Sequence, residues 1–304
     1  MTRPSKEELI KFDVDYLPDT DYAAFARLLQ SKWRDKKGFP FIKYGNFLEE
    51  GFAKTSRANY LTDNIKELVT QAVLDSEGNK AMISEPRIWN NLLSSQPLCF
   101  NLFGELYDDL ELATKYFKTL FPSRVEKVTS IKFEYAAGRG NKKYTGDYSA
   151  FDAFIKYTNK GKKGFIGIEV KYTESLQEET IEKAAKNVDR HYNRYNSLTS
   201  DKYFKTNAFD FVQQVPISQI WRDHLLYISH LIDYDEGFFV FLFPKSNIQC
   251  LNGVMQYQEY LISDNEAQTG FYPRYLDDFI KTLRNLHNTD WTRELEERYL
   301  GITS

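Results

Sequence analysis

Asp152, Glu169 and Lys171 are the residues of this chain whose types and spacing could do chemistry together. Phe151-Asp152-Ala153-Phe154-Ile155 and Ile166-Gly167-Ile168-Glu169-Val170-Lys171 each read as a half-buried strand carrying charge where an ordinary strand has a hydrophobe. Between them, Tyr157-Thr158-Asn159-Lys160-Gly161-Lys162-Lys163-Gly164 is basic and turn-forming. The midpoint of 152 and 169 falls between Lys160 and Gly161, so a symmetric hairpin turning there sets Asp152 opposite Glu169. Opposed Cβ atoms on an antiparallel pair are about 5 Å apart. Two carboxylates at that distance repel unless something positive lies between them. Lys171, two residues past Glu169, leaves the strand on the same face. Asp, Glu and Lys meeting at one spot suit a divalent-metal site with a lysine acting as base or positioning a water. The plainer alternative is an exposed strand face with an ordinary salt bridge.

Several elements must position these residues. Residues 1 to about 80 have helix-like apolar spacing, as in Asp21–Leu29 and Asn64–Thr70, with breaks at Gly38-Phe39-Pro40 and Glu77-Gly78-Asn79. Ser84-Glu85-Pro86 is a helix-start signal, and that helix is expected to end near Gln96-Pro97. A longer helix is expected from about Leu98 to Leu120, stopped by Phe121-Pro122, and then a strand over Val128–Tyr135. After the two strands of the site comes a helix from about Ser175 to Tyr195, with Glu178, Glu179 and Glu182 near its positive end. Another, over about Ile217–Ile232, precedes Phe238–Phe243, an apolar run expected of a strand buried on both faces. A further strand or two and a terminal helix around Tyr275–Tyr299 complete the chain.

Composition narrows the classes of function. The chain has 304 residues, 42% hydrophobic, 27% charged and 16% aromatic, which suits a globular protein with a large aromatic core. Trp33, Trp89, Trp221 and Trp291 are read as core. The net charge of −3 excludes a generally basic coat for nucleic acid, so a polyanion must be held by a local patch. Residues 138–171 supply one: eight lysines and arginines against three carboxylates. Cys99 and Cys250 are the two cysteines, with no CxxC and no nearby His, which excludes a structural zinc and suits a reducing cytoplasm. No apolar signal region opens the chain and no run is long enough to span a bilayer, so a cytoplasmic protein without a membrane partner is expected. His191, His224, His230 and His287 show no metal-ligand spacing and are read as surface or packing residues.

The order of elements, with Asp152 on one strand and Glu169-Val170-Lys171 on the next, resembles the PD-(D/E)XK (restriction-endonuclease-like) nuclease superfamily. Tyr144–Phe154 together with Gly164–Tyr172 is similar to a bacterial branch of restriction-endonuclease proteins. Phe151 stands where the motif name has Pro, which is not a ligand position. The resemblance implies an α/β fold: a restriction-endonuclease-like core with a mixed central sheet flanked by helices, a helical N-terminal extension and an α+β C-terminal addition. The corresponding boundaries are 1–83, 84–245 and 246–304. It further implies Mg²⁺-dependent hydrolysis of DNA phosphodiesters, with Mn²⁺ as a substitute. Asp152, Glu169 and the Val170 carbonyl hold the metal in that reading, and Lys171 positions the water. A helix Glu completes the site, Glu105 in preference to Glu85. DNA is the implied partner, with a homodimer or a methyltransferase as further partners consistent with a restriction role. A non-catalytic nucleic-acid-binding protein of the same fold and a repair exonuclease are the alternatives.

Two basic groups are candidates for phosphate contact. Arg139, Lys142 and Lys143 cluster in the loop before Asp152. Lys183, Lys186, Arg190 and Arg194 recur at spacings of three, four and four along a helix, making a stripe that is either a row of phosphate contacts or a solvated face. Gly167, lacking a side chain, would let a backbone or ligand approach the sheet closely.

Overall fold

A computed structural model of the chain describes residues 2–79, 83–177 and 180–302. In chain order it forms α1 (Lys6–Lys11), α2 (Asp21–Lys37), β1 (Phe41–Lys43), β2 (Phe47–Leu48), α3 (Glu50–Ser56), α4 (Asp63–Asn79), α5 (Arg87–Asn90), α6 (Ser95–Asp108) and α7 (Leu110–Leu120). There follow β3 (Lys127–Tyr135), β4 (Phe151–Asn159), β5 (Lys162–Val170), α8 (Ile181–Leu198), α9 (Phe209–Val212), α10 (Ser218–His230) and β6 (Glu236–Phe243). The chain ends with α11 (Ile248–Gln258), α12 (Glu266–Thr269), β7 (Phe271–Tyr275), α13 (Leu276–Leu286) and α14 (Asp290–Leu300). The architecture is α/β, with a mixed central sheet flanked by helices and helical and α+β extensions, as expected.

Two compact units divide the chain: Met1–Leu120 with Pro244–Asn247 and Tyr275–Ser304, and Phe121–Phe243 with Ile248–Arg274. The first is built on helices α1–α7, α13 and α14. Within it, α13 packs on α7 and α14, and α14 on α2. Arg27, Arg34 and Arg298 are buried there, each with its guanidinium bonded. Arg298, for example, donates to Gln30 Oε1, to the Asn59 carbonyl and to Asn59 Oδ1, and lies over the Trp33 ring.

The second unit holds the sheet, in the order β3-β4-β5-β6-β7. β3, β4 and β5 form an antiparallel meander, and β5 pairs with β6 in parallel. A parallel neighbour needs a crossover, and α8, α9 and α10 provide it. The β4–β5 register runs from Asn159↔Lys162 to Ala153↔Ile168. The turn is therefore Lys160-Gly161, both at positive φ (49° and 78°), the geometry that suits a two-residue hairpin. This is the register expected from the sequence. β6 is buried from Gly237 to Phe243, which matches its unbroken apolar run. α10 packs on β6 and is buried at most positions, whereas α8 buries only Ala184, Val188, Tyr195 and Leu198. Trp33, Trp89, Trp221 and Trp291 are all core residues.

Several expected boundaries differ. Pro97 does not end a helix; it sits in the first turn of α6, where a missing N–H costs nothing. The helix expected from Ser84 is only the four residues of α5. The expected 98–120 helix is broken at Asp109, whose side chain accepts the Leu112 N–H at 2.8 Å and starts α7. α4 runs through the expected break at Glu77-Gly78-Asn79. α8 starts at Ile181 because Thr180 caps it, accepting from Lys183 N at 3.2 Å. Glu182 is in its first turn, and Glu178 and Glu179 lie outside the described residues. The terminal helix is two, α13 and α14, split where the Thr289 N–H donates to Thr292 Oγ1 at 3.1 Å.

Candidate active site

The β4–β5 ladder stops at Ala153↔Ile168, one pair short of Asp152 and Glu169. Beyond that point the Asp152 carboxylate does the work of a strand: its Oδ2 accepts the Val170 N–H at 2.7 Å. On the other edge, Lys171 N–H donates to the Leu242 carbonyl at 2.8 Å, extending the β5–β6 pairing by a residue. The end of β5 is thus held from both sides, which fixes where Glu169 and Lys171 emerge.

Lys171 Nζ lies 2.6 Å from Glu169 Oε1. The same oxygen accepts from Gln219 Nε2 at 3.0 Å. Gln219 is on the first turn of α10, and Asp223 follows one turn later on the same helix face. Asp152 is half-buried, while Glu169, Lys171 and Asp223 are only 7%, 5% and 6% exposed. The exposed strand face, the plainer alternative, is not what forms: Glu169 and Lys171 lie inside, because β5 is flanked by β4 and β6 and Gln219 of α10 reaches Glu169.

Burial and charge shape the ionisation of the cluster. Burial, then the Glu169 and Glu134 carboxylates, push the Asp152 carboxyl well above the ordinary range, while Lys171 and the Val170 N–H pull it down. Asp223 is also pushed well above, first by burial and then by Glu169. For Lys171, burial opposes the ammonium form, but Glu169, Glu174, Asp152 and Asp223 outweigh it and hold the ammonium beyond its usual range. The cluster is therefore rich in carboxylates, with the Lys171 ammonium bonded into it.

That donor set fits a hard divalent cation: carboxylate oxygens, with neither cysteine nor histidine among the groups that couple to Asp152, Glu169 or Asp223. One further observation agrees. Asp223 Oδ2 is buried and has no hydrogen-bond partner among the described residues. Among the described residues, no group of three or more His, Cys, Asp or Glu is placed to hold a metal ion.

Gly167 corrects an expectation. The close approach it permits is that of the Phe151 ring, which a Cβ at 167 would meet at 2.4 Å. Phe151 is fully buried, so the residue at the motif's Pro position packs the floor beneath the strand end.

Other expected site residues are variously placed. Glu105, in the first unit, accepts from Thr62 Oγ1 and from Asn64 Nδ2. Glu85, in the same unit, accepts from the Trp89 indole and pairs with Lys54. Arg139 donates to the Glu134 carbonyl. Lys143 pairs with Asp233 at 2.6 Å. Arg194 donates to the Tyr144 and Lys143 carbonyls and so braces the 138–147 loop. Lys142, Lys183, Lys186 and Arg190 are exposed. That loop is further organised by Asp147, which accepts from Thr145, Ser149 and the Tyr195 hydroxyl. His224 and His230 are packing residues. His224 is held by the Tyr257 hydroxyl and the Thr269 carbonyl, His230 by the Ala137 N–H and the Leu226 carbonyl.

Gln219 and Asp223 are the residues that sequence reasoning missed. The i, i+4 spacing of a Gln and an Asp on a helix most of whose residues are buried is the signal that marks them.

No helix among the described residues is long and apolar enough to cross a membrane. No curated protein matches the chain, and no solved structure does. A family model described as the PD-(D/E)XK nuclease superfamily matches residues 18–301. The match takes in both units and the strand end just described, and the chain belongs to the PD-(D/E)XK nuclease superfamily.

Proposed function

We propose that this chain is a metal-dependent deoxyribonuclease of the restriction or defence endonuclease type, hydrolysing DNA phosphodiesters. The observation that carries the reading is the end of β5, where Asp152 docks on the Val170 N–H beside the Glu169–Lys171 pair. Asp152 and Glu169, with the Val170 carbonyl, would hold Mg²⁺ or Mn²⁺. When bound, the ion supplies Lewis acidity and lowers the pKa of a coordinated water. Lys171, kept as an ammonium by its acidic neighbours, orients the attacking water and offsets charge growing on the phosphate. Gln219 steadies the Glu169 carboxylate. Exposed Lys142, Lys183, Lys186 and Arg190 offer phosphate contacts. Cys99 and Cys250, both buried and not joined in a disulfide, are consistent with a reducing compartment such as the cytoplasm.

A non-catalytic DNA-binding role is the second reading, favoured by how far Glu169 and Lys171 are closed on each other. Supercoiled plasmid incubated with Mg²⁺ or with chelator separates the two. Nicked or linear product that needs Mg²⁺, and is absent with Asp152→Ala, Glu169→Ala or Lys171→Ala, supports the nuclease. Retention of DNA without any cutting selects the binding protein, and attack on linear DNA alone selects an exonuclease.

A further inference from the structure

Asp223 is a buried carboxylate that the roles above leave unused. Its Oδ2 is enclosed and has no hydrogen-bond partner among the described residues, on a residue only 6% exposed. Buried polar atoms of folded proteins are nearly always bonded, and an unpaired carboxylate oxygen is among the costliest to leave bare. An aspartate kept only to fill space would be replaced at lower cost by Asn or Leu.

Its place on α10 sets it one turn from a residue that touches the end of β5. Gln219, one turn earlier on α10, donates to Glu169 Oε1 at 3.0 Å. The charges that act most strongly on Asp223 are Glu169 and then Lys171, followed by Arg222. Lys171 in turn responds to Glu169, Asp152 and Asp223 together. Three carboxylates therefore share one electrostatic neighbourhood, and the Lys171 ammonium is bonded to just one of them, Glu169. Among the described residues, no three of His, Cys, Asp and Glu are placed to hold a metal ion, so Asp223 is not a direct ligand beside Asp152 and Glu169; a carboxylate one water away from a hard ion still orients its shell.

Resting on the metal-dependent reading above, we propose that Asp223 is a positioning residue for the cation held by Asp152 and Glu169, accepting a hydrogen bond from a water that the ion retains. Gln219 belongs to the same helix face and sets the Glu169 carboxylate toward that ion. α10, from the crossover between the parallel strands, is then part of the metal site.

The test measures Mn²⁺ binding to the full chain by the loss of the free-ion EPR signal, alongside thermal unfolding with and without Mn²⁺. Wild type, Asp223→Asn and Asp152→Asn are compared. Asp223→Asn is expected to be at least as stable as wild type without metal, since a carboxyl group that its buried setting disfavours is gone, and to bind Mn²⁺ about ten- to a hundred-fold more weakly. Asp152→Asn is expected to lose Mn²⁺ binding. A structural role would instead lower the metal-free melting temperature, and that result overturns the proposal. So does Asp223→Asn binding Mn²⁺ as wild type does while Asp152→Asn does not, which leaves the nuclease reading standing. Wild type that binds no Mn²⁺ defeats the metal reading itself, and this inference with it. If Asp223→Asn does not fold, Asp223→Ser is read in the same way, and failure of both to fold assigns Asp223 to structure.

Discussion

Lys171 Nζ and Glu169 Oε1 are 2.6 Å apart, and both side chains are less than a tenth exposed. A buried ion pair contributes little compared with a well-packed apolar pair, but removing one partner strands the other. Lys171→Met and Glu169→Gln should therefore each lose activity, and Lys171→Met should also destabilise the metal-free protein by about 3–5 kcal/mol. The double variant should cost less than the sum of the two. Urea unfolding of the four proteins checks this, and simple additivity would show that the pair is not coupled.

Gly167→Ala should destabilise the protein by about 1–3 kcal/mol, the usual cost of overpacking a core. The reason is steric, since the new Cβ would meet the Phe151 ring at 2.4 Å. Adding Phe151→Leu should recover part of the loss. If the double variant is no more stable than Gly167→Ala, the Phe151 ring is not what Gly167 accommodates.

His230 is neutral by construction: its Nε2 accepts the Ala137 N–H and its Nδ1 donates to the Leu226 carbonyl. Burial, against a smaller opposing pull from the Leu226 carbonyl and Asp233, lowers its pKa to about 4. An unfolded histidine titrates near 6.5. The unfolded chain thus takes up a proton that the folded chain refuses. Stability from this residue is complete above pH ~6.5 and is lost as pH falls through about 4. The loss amounts to about 3 kcal/mol at most. His230→Phe should be less stable at pH 7, because the Ala137 N–H loses its acceptor, yet should lose less on acidification. Urea unfolding at pH 7 and pH ~4.5 gives the difference, and an unchanged acid dependence would contradict the assignment.

Lys183, Lys186 and Arg190 are exposed on α8, whereas Arg194 on the same stripe is engaged with the 138–147 loop. Charge reversal at Lys183, Lys186 or Arg190 should weaken DNA binding and reduce the slope of log K against log salt by about 1 for each phosphate that is no longer neutralised. Arg194→Ala should instead loosen the loop, seen as faster amide exchange at Lys143 and Tyr144. Salt slopes that do not change would return the stripe to a solvated face.

What the sequence determined by itself was local. The alternation on either side of Lys160-Gly161 and a turn open to positive φ set the β4–β5 register, because a slip of one residue would turn every side chain to the other face of the sheet. The unbroken apolar run of β6 likewise announced a strand buried on both faces. Helix ends were less legible, since Asp109 accepting the Leu112 N–H and Thr292 Oγ1 accepting the Thr289 N–H are single bonds that propensity does not register. Tertiary structure alone decided what α10 faces. Gln219 and Asp223 stand some fifty residues beyond Glu169 in the chain, and no periodicity states which distant strand a helix will cover. It also decided that Glu169 and Lys171 lie inside rather than in water, because a central strand is buried by the neighbours it pairs with and the helix laid across it.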